Sequence, residues 1–157
     1  MNFKPGFPGF FIITNMENNE GRITGFGGVF VKYNDPEGVL SWYKEKLGLK
    51  TDEYGTSFEW RQSDHPEKKG YTVWSAMDKT SEYFQPSEKE FMINLRVVHI
   101  EAFLARLKQI GIEQLGEIQE FEYGKFAHIL DPEGVKIELW EANDENYDKM
   151  IGEVKIS

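Results

Sequence analysis

Apolar and polar positions follow two periods along this chain, and the changes between them mark out its elements. Gly28 to Tyr33 (GVFVKY) has period two, with Val29, Val31 and Tyr33 on one face and Phe30 and Lys32 on the other, the pattern of a strand. A helix follows. Asp35-Pro36-Glu37 supplies a capping carboxylate, a proline suited to the first turn and an acid at the positive helix end. Val39, Leu40, Tyr43 and Leu47 then recur at helical spacing until Gly48 stops them. Three short strands are predicted next, at Leu49–Glu53, Thr56–Arg61 and Tyr71–Ala76, with polar loops at 62–70 and 77–89.

The series then repeats. Phe91 to Val97 (FMINLRV) alternates, with Ile93, Leu95 and Val97 opposite Met92, Asn94 and Arg96. A helix from Ile100 to Ile110 carries Phe103, Leu104, Leu107 and Ile110, and Gly111 closes it. Strands are predicted at Glu113–Glu120, Lys125–Leu130 and Val135–Trp140. Two strand–helix–strand–strand–strand units imply an internal duplication and an α+β fold. An offset of 64 keeps the apolar faces of the two first strands in step, aligning Gly28 with Met92, Val29 with Ile93 and Trp74 with Glu138. The tetrapeptide DPEG occurs at Asp35–Gly38 and Asp131–Gly134, but these copies lie 96 residues apart and are unrelated by the duplication. The first opens a helix; the second sits between two strands, where proline and glycine suit a tight turn.

Composition narrows the function. The chain has 157 residues, enough for one domain, with 18 Lys+Arg against 27 Asp+Glu and a net charge of −9. No basic cluster offsets that field, which argues against nucleic-acid binding. The absence of cysteine removes disulfides, thiolate metal sites and Cys nucleophiles, and fits a cytoplasmic location. No apolar run approaches the ~18 residues of a membrane span. Aromatic residues make up 15% of the chain, so rings must line a core or a cavity. Residues 1–22 read as an N-terminal arm, with Phe3, Phe7, Phe10 and Phe11 outside any period; it is either native and packed on the domain or an extension ahead of a start at Met16. Residues 142–157 read as an acidic, solvated C-terminal tail. There is no phosphate-cradling glycine loop and no nucleophile-elbow serine.

The duplicated βαβββ unit, the helix VLSWYKEKLGL and the ending KFAHILDPEGVKIELWE resemble the vicinal oxygen chelate superfamily, which includes glyoxalase I, extradiol dioxygenases and bleomycin-resistance proteins. The resemblance spans residues 23–141 and implies modules at about 23–77 and 90–141 whose sheets join into a curved cup. It also implies a metal-ligand position on the first and last strand of each module. Those positions fall on Gly28, on or beside Trp74, on Met92 and on Glu138, so only Glu138 keeps a ligand-type side chain. Divalent iron, nickel or zinc wants three or four ligands, so no metal cofactor is expected.

Two of the three histidines, His65 and His99, read as surface residues. His128 reads as an interior histidine, as the partner of Glu138 in an acid/base pair, or as part of a relocated metal site. If Phe58 and Trp60 match Phe126 and His128, all four share a face. The expected lining of the cup is Phe30, Lys32, Trp60, Trp74, Met92, Asn94, Arg96, His128, Glu138 and Trp140, with Arg96 or Lys32 supplying the cation for Glu138. The function this implies is binding of a small, aromatic organic ligand by a homodimer, with Glu138 and His128 as candidate catalytic groups. Catalysis, if present, would be that of a metal-free isomerase or lyase with Glu138 or His128 as base, and a metal-dependent lyase or dioxygenase with rearranged ligands is one alternative. A non-catalytic interaction subunit, whose cup would be filled, is another.

Overall fold

The structure, a computed structural model, describes residues 20–156, so most of the expected N-terminal arm lies outside the described residues. The elements in order are β1 (Arg22–Tyr33), α1 (Pro36–Leu47), β2 (Gly55–Arg61), β3 (Lys69–Asp78), a 3-10 turn (Glu82–Phe84), β4 (Phe91–Val98), α2 (Ile100–Gln109), β5 (Leu115–Phe121), β6 (Gly124–Leu130), β7 (Lys136–Ala142) and α3 (Asp144–Ile156).

The seven strands form one open mixed sheet in the order β2-β3-β1-β4-β7-β6-β5. Within each half the first strand runs parallel to the last, β1 with β3 and β4 with β7. The halves join through the antiparallel pair β1–β4. This is the α+β duplication the repeat predicts, with two departures. Residues 49–53 form no strand, so the first half has three strands instead of four: Asp52 turns the chain by accepting from the Tyr54 and Gly55 amides, at 2.8 and 3.0 Å. Nor do the described residues from 142 onward begin as a solvated tail. Asn143 accepts from the Asn146 amide at 3.1 Å, helix α3 follows, and Tyr147 is buried against Tyr71 and Trp140.

Local chemistry explains the two DPEG segments. Asp35 accepts from the Gly38 amide at the start of α1, and Gly48 closes it in the left-handed conformation at φ +69°. Asp131 instead accepts from the amides of Glu133 and Val135 in a turn completed by Gly134 at φ +81°.

The larger core lies between α2 and the outer face of the sheet. It contains Ile100, Phe103, Leu104 and Leu107 of the helix, with Val97, Ala127, Ile129 and Leu139 of the strands. Alternation puts the intervening residues of β4, β6 and β7 on the inner face, and these carry the chemistry.

Candidate site on the inner face of the sheet

Glu138 of β7 is the centre of a closed hydrogen-bond cluster. Ladder pairing sets Asn94 on one side of it and His128 on the other. Asn94 Nδ2 donates to Oε1 at 2.8 Å, and His128 Nε2 lies 2.8 Å from Oε2. The third donor is the Tyr83 hydroxyl, brought in by the 3-10 turn of the linker between the two halves; it donates to Oε2 and lies 3.2 Å from His128 Nε2. All contacts are satisfied with the His128 proton on Nε2. Burial, then the charge and hydrogen bond of Glu138, push the Tyr83 phenol well above its ordinary 10.0, so it stays a donor at neutral pH. Lys136, two residues before Glu138, donates to the Tyr83 carbonyl at 2.5 Å, and burial holds its ammonium below the usual lysine value.

Arg96 occupies a second constellation. Its guanidinium lies between two indoles, 5.3 Å from the Trp60 ring and 5.1 Å from that of Trp140. Trp140 also stacks on Phe126 at 5.8 Å. Nη2 of Arg96 meets Asp144 Oδ2, on the first residue of α3, at 2.5 Å. Gln62 Nε2 reaches the same oxygen at 3.0 Å. Two atoms of the pair, Arg96 Nη1 and Asp144 Oδ1, are buried with no hydrogen-bond partner. Glycine makes the packing of Trp60 feasible, since a Cβ at Gly70 would come within 2.5 Å of its ring.

Several expectations about the lining need correction. Arg96 does not pair with Glu138: its cation goes to Asp144, and neutral donors supply Glu138. Lys32 shares the inner face but sits at the far end, 4.9 Å above the Phe84 ring. Trp74 faces the other way, packed 4.4 Å from the Tyr43 ring of α1. The reason is register: Gly28 pairs with Val73, so Val73 and Ser75 face inward and Trp74 outward. An offset of 64 therefore holds for the first strands and fails by one residue for the last. Phe58 is exposed and does not share a face with buried His128. Trp60 starts from the same side as Trp74, but its indole lies over Gly70 and beside Gly25, where no side chain blocks it, and so comes within 5.3 Å of the Arg96 guanidinium. Phe30 and Met92 are neighbours across β1 and β4 on the inner face, with Met92 fully buried. Tyr83, Asp144 and Tyr147 went unpredicted because they lie in segments read as linker and tail.

The four positions that bind metal in this architecture do not fit an ion here. Gly28 has φ +147°, and a Cβ on it would lie 2.1 Å from the Val73 carbonyl oxygen, so no ligand-bearing side chain can stand there. Met92 is apolar, and both oxygens of Glu138 already accept from internal donors. The observed register puts Ser75 rather than Trp74 in the last-strand position of the first half, with its hydroxyl donating to the Tyr54 carbonyl at 2.7 Å. Among the described residues no group of three His, Cys, Asp or Glu is close enough to hold a metal.

A cavity of about 660 Å³ opens at the start of α3, walled by Lys68, Lys69, Phe121, Lys125, Glu141 and Asp144 among others. Glu138 and His128 do not reach it. Another, of about 560 Å³, lies beside Lys32 and the linker. Among the described residues no helix is long and apolar enough to cross a membrane.

No curated protein matches the chain. Among solved structures, a Streptomyces coelicolor methylmalonyl-CoA epimerase variant, in complex with 2-nitronate-propionyl-CoA, is similar at 16% identity and TM-score 0.56, covering 78% of this chain and 99% of that one. The epimerase from Mycobacterium tuberculosis is similar at 19% identity and TM-score 0.50, covering 82% and 93%. At these identities the likeness concerns the fold alone. The family model described as Glyoxalase/Bleomycin resistance protein/Dioxygenase superfamily matches residues 25–139. A duplicated module joined through β1 and β4, together with a match over most of its length, means that this chain belongs to that superfamily.

Proposed function

We propose that the protein binds a small aromatic organic molecule on the inner face of its sheet, with no metal ion in the four-ligand position. One observation carries this reading: Arg96, flanked by Trp60 and Trp140, keeps a buried, unbonded Nη1 next to Asp144, which walls the 660 Å³ cavity. The cavity wall is mainly Lys, Asp and Glu side chains, with Phe121 its aromatic member. The apolar surface a small molecule needs is the Trp60 and Trp140 pair behind Asp144, and the volume falls in the usual range of ~300–1,000 Å³. Binding is favoured over catalysis because Glu138 and His128 are buried and engaged with each other, with Asn94 and with Tyr83. We also propose a homodimer, since α1 leaves Trp42 and Leu47 about half exposed; light scattering tests it.

Trp60 and Trp140 make the site self-reporting. Fluorescence titration with single-ring aromatics should give a saturable change that Arg96→Ala and Trp140→Phe weaken. Indifference of every probe to both substitutions would remove the inner face as the binding site.

A further inference from the structure

The part of α3 that enters the cup has the chemistry of a ligand. Asp144 and Tyr147, one helical turn apart, both reach inward from α3. Asp144 sets its carboxylate on the Arg96 fork, and Tyr147 sets its ring edge-on to Trp140 and Tyr71, with centroids 5.1 and 5.0 Å away. The Tyr147 hydroxyl is 2.8 Å from Ser57 Oγ on β2, so the phenol bridges the two arms of the sheet. Together they present an anion and a hydroxylated ring to one cationic, aromatic-walled box.

The carboxylate end is imperfectly made. A guanidinium can offer two parallel N–H donors to a carboxylate. Here only Nη2 is engaged, while Nη1 and the second carboxylate oxygen, Oδ1, are both buried without partners. A buried donor or acceptor left without a partner destabilises the site that holds it. A free carboxylate is not tethered to a helix and can take both donors. The flanking indoles confine approach to the plane of the guanidinium, which suits a planar carboxylate over a tetrahedral anion.

We propose that Asp144 and Tyr147 are an intramolecular stand-in for an aryl carboxylate, and that α3 is the segment such a ligand displaces from Arg96. The proposal rests on the binding reading above and specifies its ligand class and its gate. The 660 Å³ cavity, bordered by Asp144, is the entrance.

Calorimetric titration of the full-length protein with 4-hydroxybenzoate and 4-hydroxybenzamide, on wild type and Asp144→Asn, tests it. Removing the competing carboxylate raises the fraction of open state, so it should tighten 4-hydroxybenzoate and 4-hydroxybenzamide alike, by about tenfold, with the benzoate the tighter of the two in either protein. Tyr147→Leu, which keeps Asp144 and loosens α3, should shift affinity in the same direction. In wild type, saturating 4-hydroxybenzoate should speed hydrogen exchange of α3 amides. Equal affinity for wild type and both variants, or binding that leaves α3 protection unchanged, overturns the gate while the binding reading stands. Failure of every protein to bind either probe, with circular dichroism showing them folded, overturns both.

Discussion

His128 and Glu138 face each other as paired residues of the β6–β7 ladder, with Nε2 2.8 Å from Oε2 and both side chains buried. The pair is one edge of a cluster in which Asn94, His128 and Tyr83 all direct hydrogens at a single carboxylate. Glu138→Gln keeps the shape but replaces one acceptor by an NH2 group. With its oxygen toward His128 and Tyr83, the amide sets its NH2 against that of Asn94 unless Asn94 flips. Turned over, it needs His128 to move its proton to Nδ1 and Tyr83 to turn its hydroxyl away. Urea unfolding should show a loss of about 1–3 kcal/mol, the cost of leaving buried polar groups unsatisfied. A change within error would mean that Asn94 flips, or that water rather than these side chains satisfies Glu138.

Gly28 tests whether the first-strand metal position can be rebuilt. Its φ of +147° and the nearby Val73 carbonyl exclude a Cβ. Gly28→His should therefore destabilise the fold, by about 1–3 kcal/mol from backbone strain alone, and should bind no nickel, zinc or iron. One equivalent of metal bound by that variant and lost on adding Glu138→Ala would show that the strand shifts to accept a ligand.

Trp74 and Trp60 should separate cleanly. Trp74 packs against Tyr43 and Tyr33 on the outer side, while Trp60 flanks Arg96. Trp74→Ala should lower stability by about 3–5 kcal/mol or somewhat less, since the ring is only partly buried, and leave aromatic binding unchanged. Trp60→Phe should weaken aromatic binding. An affinity loss on Trp74→Ala, in protein shown to be folded, would move the site to the α1 side.

What the sequence could reveal depended on range. Strands β1 and β4, their inward residues Asn94 and Arg96, the two helices and the different fates of the two DPEG segments follow from periods and caps within a few residues. Trp74 was misplaced because a single-residue change of register between the first and last strands reverses every side chain, and one offset cannot show it. Residues 49–53 had strand-like composition, but an Asp52 turn uses their end. Tyr83 and Tyr147 carried no local signal: each lies in a polar stretch and becomes a site residue only when the linker or α3 folds over the sheet. The partner of Arg96 was unreadable for the same reason, because Asp144 is 48 residues away in that segment.

Tyr83 gives the fold an alkaline limit. Its phenol has a folded-state pKa raised by burial and by Glu138, against 10.0 when exposed. Between those two values the folded chain holds a proton that the unfolded chain has released. Stability depends on pH as the difference in bound protons, so this contribution is complete below pH 10.0 and is lost as pH rises above it. One fully withheld proton would give a slope of about 1.4 kcal/mol per pH unit. The Tyr83 residue is 39% exposed, so solvent screening makes its share smaller. Tyr71 and Tyr147 are raised in the same direction and add to the wild-type fall. Tyr83→Phe should therefore be less stable than wild type at neutral pH, having lost the bond to Glu138, and the gap should narrow from roughly pH 10 to 11 as wild type forfeits its bound proton. Urea unfolding of both proteins at stepped pH measures that gap directly. A gap that stays constant through this range would show that the Tyr83 phenol titrates as though it were in water, and the Glu138 cluster would then have to be open to solvent.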